Sequence, residues 1–208
     1  MDMRVGSIVI LIFLSLTYFS CESQQIVSGC LTTHYLNGAK ESEGCYKNYS
    51  KDGTWRYYFP NGKLHRVENY TAGLKSGHFL SYNQDGQLSS DITYKDGHFF
   101  DTIKFFYTNG KVNFKQYYDN KGLAEGEFKL WYPSGKLSQI GSNLNGKMIG
   151  KWIKYYENGL VDHTAYYDDA GNKDSVWIYY DVKGQLLKRE KYRSDSLLKT
   201  DSSSVHKP

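Results

Sequence analysis

The sequence predicts an all-β chain: an elongated repeat array of about seven β-hairpins laid side by side in one twisted antiparallel sheet. Three observations carry that expectation. Glycine returns in a fixed register at Gly38, Gly62, Gly86, Gly110, Gly135, Gly159 and Gly184, the tenth position of repeats that start at residues 29, 53, 77, 101, 126, 150 and 175. Aromatic residues keep step with it. The third position reads Leu31, Trp55, Phe79, Ile103, Phe128, Trp152, Trp177, and the eighteenth reads Tyr46, Tyr70, Tyr94, Tyr118, Asn143, Tyr167, Tyr192. Ahead of four of the seven glycines stands Asn, giving Asn-Gly between apolar runs, the strongest short hairpin signal because both residues tolerate positive φ. A period of 24 or 25 residues marks an array whose units touch only their neighbours.

Composition agrees. Of 208 residues 20 are Tyr and only 3 are Pro, and 16% are aromatic, which a disordered chain would not carry. Positions 6, 7 and 18 hold fourteen of the tyrosines, so most Tyr usage is architectural. No stretch after the first twenty residues keeps the i, i+3, i+4 apolar spacing of a helix. Seven hairpins give up to fourteen strands, an array of roughly 65 Å at about 4.8 Å per strand.

Taken in order, residues 1–20 read as a signal peptide: Arg4 precedes an apolar stretch, from Val5, shorter than the roughly 20 residues of a membrane span. Ser20-Cys21 resembles the end of a bacterial lipobox, which makes Cys21 the lipidation site and the first mature residue, on an outer-membrane lipoprotein facing periplasm or exterior. Cleavage after Ser23, giving a secreted protein, is the alternative, and an uncleaved anchor a third. Residues 21–28 form a short linker, 29–192 the seven repeats, and 193–208 a polar tail expected to be disordered. A formal net charge of +4 is far from the basic patch that nucleic-acid binding requires.

Within a repeat, the sequence places a two-residue turn at positions 9 and 10 and a looser Gly-containing loop between repeats, the latter holding the extra residue of the 25-residue units. A two-residue turn at Asn37-Gly38 sets Cys30 directly across from Cys45, and an even cysteine pair in an oxidising compartment reads as a disulfide. Positions 3, 5, 7, 12 and 18 are expected on one face and position 6 on the other. Lys188, Arg189, Glu190 and Lys191 would protect the last sheet edge.

Chemistry is hard to find. No metal site is expected: the histidines form no ligand spacing, and the one pair in a shared setting, His78 and His98, has no evident third ligand. Asp168-Asp169 reads as turn chemistry. No nucleophile motif or phosphate-binding loop appears, so neither enzyme activity nor a cofactor is expected. Position 7 is expected to be the most exposed aromatic column, because it degrades to Asn83 and Asp181. Tyr107, Tyr132 and Tyr156 are therefore the candidate binding surface for peptide or glycan.

Gly53, Trp55, Tyr58, Asn61, Gly62, Leu64, Tyr70 and Gly73 carry a recognisable pattern, as do Gly150, Trp152, Tyr155, Tyr156, Asn158, Gly159, Val161 and Tyr167. They resemble the bacterial MORN-repeat variant, the 24-residue form of the membrane occupation and recognition nexus repeats, over about residues 29–192. That resemblance implies a hairpin array. Family members are often labelled antitoxin-like, and related repeats dock proteins or lipids. Three readings follow: an envelope lipoprotein binding a protein or peptide partner, an antitoxin or immunity-type protein neutralising a toxin, or a glycan or peptidoglycan binder using its aromatic rows.

Overall fold

The computed structural model describes residues 27–202. Cys21, and the signal peptide before it, lie outside the described residues. Seventeen antiparallel strands form one open sheet, and the described residues contain no helix. Leu74–Lys75 and Gly77–Tyr82 are two lengths of one line against Leu64–Thr71, and His98–Phe99 and Asp101–Phe106 likewise against Leu88–Lys95. The seventeen strands therefore make fifteen lines, each pairing with the line that follows it in the chain.

The fifteenth line corrects the expected tail. Ser196–Ser202 pairs with Leu186–Arg193. Ser194 and Asp195 turn the chain with φ of 45° and 66°, and the Asp195 carboxylate accepts the Lys173 N–H at 2.8 Å. The Ser-rich segment is an edge strand with all seven residues exposed, Leu197 and Leu198 among them. The charges guarding that edge are Lys199 and Asp201, paired at 2.8 Å. Residues 203–208 lie outside the described residues.

The two kinds of turn are the reverse of expectation. At Asn61-Gly62 only the glycine has positive φ, and Phe59 N–H donates to the Lys63 carbonyl at 2.8 Å, so the loop has three residues, a type I turn closed by a left-handed glycine. Asn61 Oδ1 instead accepts the Lys63 N–H. The paired, positive-φ two-residue turns fall between repeats, at Ala72-Gly73, Asp96-Gly97 and Asn145-Gly146. The 25-residue repeats replace them with three-residue loops, Asp119 N–H reaching Leu123 O and Asp168 N–H reaching Asn172 O at 2.9 Å.

A three-residue loop ought to slip the hairpin by one residue and flip every side chain. It does not, because position 13 is a bulge. Tyr58 pairs with Leu64 and Tyr57 with Arg66, leaving His65 out of the ladder; the same shift recurs in every repeat. Beyond the bulge the register is that of a two-residue turn. Cys30 thus does stand opposite Cys45, with sulfurs 1.98 Å apart.

That register puts positions 3, 5, 14, 16 and 18 on one face, and this face is the core. Trp55, Phe79, Ile103, Trp152 and Trp177, all from position 3, are buried. Position-18 tyrosines bracket them, Tyr70 and Tyr94 lying 5.5 and 4.6 Å from Phe79, and Tyr167 and Tyr192 lying 5.4 and 5.1 Å from Trp177. Position 12 departs from the expected face. It pairs directly with position 6, as Leu64 with Tyr58, and so shares the opposite side.

The large rings need room, and position 16 of the preceding repeat supplies it. A Cβ on Gly44 would lie 2.2 Å from Trp55, and one on Gly141 would lie 2.1 Å from Trp152. Trp177 packs with Ala165. Each of the three tryptophans at position 3 thus meets a glycine or alanine at the previous position 16.

Candidate functional site

The tyrosines singled out for binding have another occupation. Tyr107 donates its hydroxyl to the Trp131 carbonyl at 2.6 Å, Tyr132 to Tyr155 at 2.6 Å and Tyr156 to Tyr180 at 2.8 Å; Tyr35 does the same to Tyr58 at 2.7 Å. Each is half-buried and latches its own turn to the next repeat. In repeats 3 and 7 the residue at position 7 caps its own turn: Asn83 accepts the N–H groups of Asp85 and Gln87, and Asp181 those of Lys183 and Gln185; in repeat 2 it is Phe59, stacked on His65 at 4.2 Å. At six of the seven position-7 residues the variation between Tyr and Asn or Asp reflects two ways of holding one turn and not exposure.

Of the other candidates, Asp168 accepts the N–H groups of Ala170 and Asn172, and those bonds, Asn172 foremost, hold its carboxyl below the usual range. His78 Nδ1 lies 3.0 Å from Asp91. The described residues hold no group of three or more His, Cys, Asp or Glu placed to bind a metal, and no helix long and apolar enough to cross a membrane.

The most concentrated polar chemistry is duplicated. In repeat 2, Glu68 sits at position 16 on the ring face. Its carboxylate accepts the Tyr70 hydroxyl at 2.9 Å and lies 3.3 Å from Arg66 Nε and 4.0 Å from Lys51 Nζ. The Lys51 ammonium lies over Trp55 at 4.4 Å and over Tyr57 and Tyr70 at 5.1 Å, while Arg66 covers Tyr57 at 4.1 Å. In repeat 7, Glu190 takes Lys188 at 2.6 Å and the Tyr192 hydroxyl at 3.0 Å. Lys173 lies over Trp177 at 4.9 Å and Tyr192 at 5.2 Å, and Lys188 over Tyr179 at 4.4 Å. Lys51, Trp55, Tyr57, Arg66, Glu68 and Tyr70 thus reappear 122 residues later as Lys173, Trp177, Tyr179, Lys188, Glu190 and Tyr192.

The electrostatics follow from burial beside a carboxylate. Burial first, then Glu68, pushes the Tyr57 phenol up to about 12, and Tyr70 is raised for the same reasons. Tyr179 is raised by burial and by Glu190. The Lys188 hydrogen bond holds Glu190 below the usual carboxylate range, and burial lowers Lys51. Arg66 Nε, 3.3 Å from Glu68, is buried without a hydrogen bond. Glu68 and Glu190 each meet a cation and a tyrosine hydroxyl, and Lys173 meets two rings, so these are cation–ring–carboxylate nests. Sequence reading treated the columns one at a time and missed them. The signal was there: Tyr at position 5 and Glu at position 16 occur together only in repeats 2 and 7.

Four stretches of the chain, residues 51–72, 75–96, 102–120 and 124–142, match the MORN repeat variant. They correspond to repeats 2 to 5, and repeats 1, 6 and 7 share their hairpin geometry. No curated protein matches the chain.

Proposed function

We propose that the chain is a non-enzymatic scaffold, tethered to the cell envelope through lipid on Cys21, that binds a protein partner along its sheet. One observation carries the reading: among the described residues a single layer of fifteen lines packs rings on one face and has no second layer against the other. MORN repeats are commonly protein- or membrane-binding modules, which is compatible with it. The seven residues from Glu22 to Ser28 reach at most about 25 Å, so the array would work close to its membrane.

The test is affinity capture from envelope extract with the full-length lipidated protein as bait, coupled to intact-mass measurement. A diacyl or triacyl adduct on a chain beginning at Cys21, and a protein captured in stoichiometric amount, are the expected results. If that protein is toxic when expressed alone, the scaffold is of the antitoxin or immunity type. A mature chain beginning at Gln24 would remove the tether, and retention on cell-wall glycan with no protein captured would replace the partner class.

A further inference from the structure

We propose that the face opposite the rings carries a two-part docking track for an extended segment of a partner protein: acidic residues of that segment meet Lys104, Lys115 and Lys129, and apolar residues meet Ile140, Ile153 and Ile178. This rests on the reading of the chain as a protein-binding scaffold and specifies what the partner must look like.

The track lies on one line of directly opposed residues. Asp91 pairs with Lys104, Lys104 with Lys115, Lys115 with Lys129, and Lys129 with Ile140. Ile140 then pairs with Ile153, Ile153 with Thr164, and Thr164 with Ile178. Like charges directly opposite on adjacent strands destabilise a sheet, and here two such pairs follow one another. Only one of the three lysines is neutralised by an ion pair among the described residues, Lys129 with Glu127 at 2.8 Å. Asp91, at the end of the lysine run, is engaged by His78 at 3.0 Å. Earlier on the same line the charges match themselves, Glu43 standing opposite Arg56. The uncompensated positive charge is therefore local.

The apolar half is equally out of place. Ile140, Ile153 and Ile178 are half-buried, Ile140 directly opposite Ile153, on a face that no second layer covers among the described residues, and solvent faces of antiparallel sheets are normally polar. Two open depressions adjoin Ile153. One, of about 290 Å³, includes Glu127, Ile140 and Lys151; the other, of about 380 Å³, includes Leu160, Val161 and Tyr180. Leu160 is 43% exposed and Val182 56%.

Charge alone would suit any polyanion, but the apolar half would then be idle. A fluid anionic bilayer offers both chemistries without fixing their order. From Lys104 to Ile178 the basic and apolar parts follow one another along the line instead of mixing, with Asp91 separating the lysines from Val67 and Leu80 on the other side, so the ligand must be ordered along a line too, as a polypeptide is. From Lys104 to Ile178 the line crosses six strand spacings, about 29 Å, the reach of an extended segment of about nine residues.

The experiment is panning of a random peptide library, about twelve residues long to exceed that reach, against the purified protein. Affinities of the enriched peptides are then measured for wild type, for K104E/K115E/K129E and for I153S/I178S. Near-UV circular dichroism of the buried tryptophans checks that each variant keeps the ring face. The expected result is peptides with an acidic stretch beside a branched apolar one. They should bind about tenfold or more weakly to either variant, with a salt dependence that the lysine variant loses. No enrichment, enriched peptides without acids, or equal affinity for the variants would overturn the track. So would capture of phosphatidylglycerol vesicles, lost in the lysine variant, with no peptide bound. A stoichiometric envelope protein held equally by wild type and both variants would sink the track while leaving the scaffold reading standing.

Discussion

Two neighbouring junctions of the array solve one packing problem with different chemistry. At the junction of repeats 5 and 6, Trp152 closes over Gly141, with Phe128 at 4.9 Å and Tyr167 at 6.5 Å. At the junction of repeats 4 and 5, the same columns hold amides: Gln116 at position 16 and Asn143 at position 18, where every other repeat has Tyr. Asn143 donates to Gln116 Oε1 at 2.8 Å, and Gln116 Nε2 donates to the Tyr117 and Glu125 carbonyls at 2.8 and 2.9 Å. Gln116 is 1% exposed and Asn143 8%. What the column demands is filled volume, and rings are only the usual way to supply it: the two amides partner each other, while the Trp152 indole N–H is buried without a hydrogen bond.

The ring junction should be the more fragile. Trp152→Ala removes one of the two tryptophans of the C-terminal cluster and leaves a void lined by Phe128, Ala165 and Tyr167. The expected loss is about 3–5 kcal/mol, read as a lowered urea midpoint for the C-terminal repeats. Gly141→Val attacks the same seat from below. Its Cβ would begin 2.1 Å from the Trp152 ring, so overpacking of about 1–3 kcal/mol is expected, with loss of the Trp near-UV band.

The amide junction should break through its hydrogen bonds and not its volume. Asn143→Leu leaves Gln116 Oε1 buried without its donor, at a cost of about 1–3 kcal/mol. Adding Gln116→Leu removes the orphaned acceptor as well, and the double variant should recover much of the loss. A double-mutant cycle by chemical denaturation checks it; strict additivity would mean that the two amides do not depend on each other.

These junctions also show what could be read from the chain beforehand. The period, the hairpins and the buried ring columns were legible, because Trp, Tyr and Gly at fixed spacing leave few alternatives. The opposition of Cys30 and Cys45 was legible too, although for an incomplete reason: a three-residue loop and the bulge at Glu41 cancel, so the two-residue count lands on the right pair. The three-residue loop could not be read, since Asn-Gly serves both turn types and only the φ of Asn37 separates them. Partnerships between columns were hidden as well. Gly141 looks like one more turn glycine until Trp152 is seen above it, and the hydroxyls of Tyr107, Tyr132 and Tyr156 look free until the next repeat's carbonyls come within reach.

A smaller effect separates good copies of position 1 from poor ones. Gly53, Gly77, Gly126 and Gly150 hold φ near 60–80° there, but repeats 4 and 7 place Asp101 and Ser175 at φ 60°. Left-handed backbone costs a non-glycine residue about 1–2 kcal/mol, part of which Asp101 recovers by accepting the Thr102 N–H at 2.6 Å. Ser175→Gly, whose hydroxyl instead donates to Asp174, should therefore stabilise its repeat more than Asp101→Gly does. The gain would be at most about 1 kcal/mol, since glycine also loosens the unfolded chain. Equal effects would mean that the Asp101 bond contributes nothing.

The weakest lever is pH, and it acts through the repeat-7 nest. Lys188 at 2.6 Å and the Tyr179 and Tyr192 hydroxyls favour the ionised form of Glu190, so its folded pKa lies below that of the unfolded chain. A depressed carboxylate contributes stability that is complete above the unfolded value, about 4.3 for Glu, and is lost as pH falls through the folded one. Lys188 is 40% exposed, so solvent screens much of the attraction and the slope should be shallow. Because a repeat array need not unfold in one step, the signal to follow is Trp177 fluorescence, which reports on the ring beside Glu190's own strand. Between pH 6 and pH 3 the wild type should lose local stability that Glu190→Gln does not, the variant being less stable at pH 6 and level with wild type at pH 3. Parallel pH curves for the two proteins would show that the carboxylate is held no more tightly in the fold than in the unfolded chain.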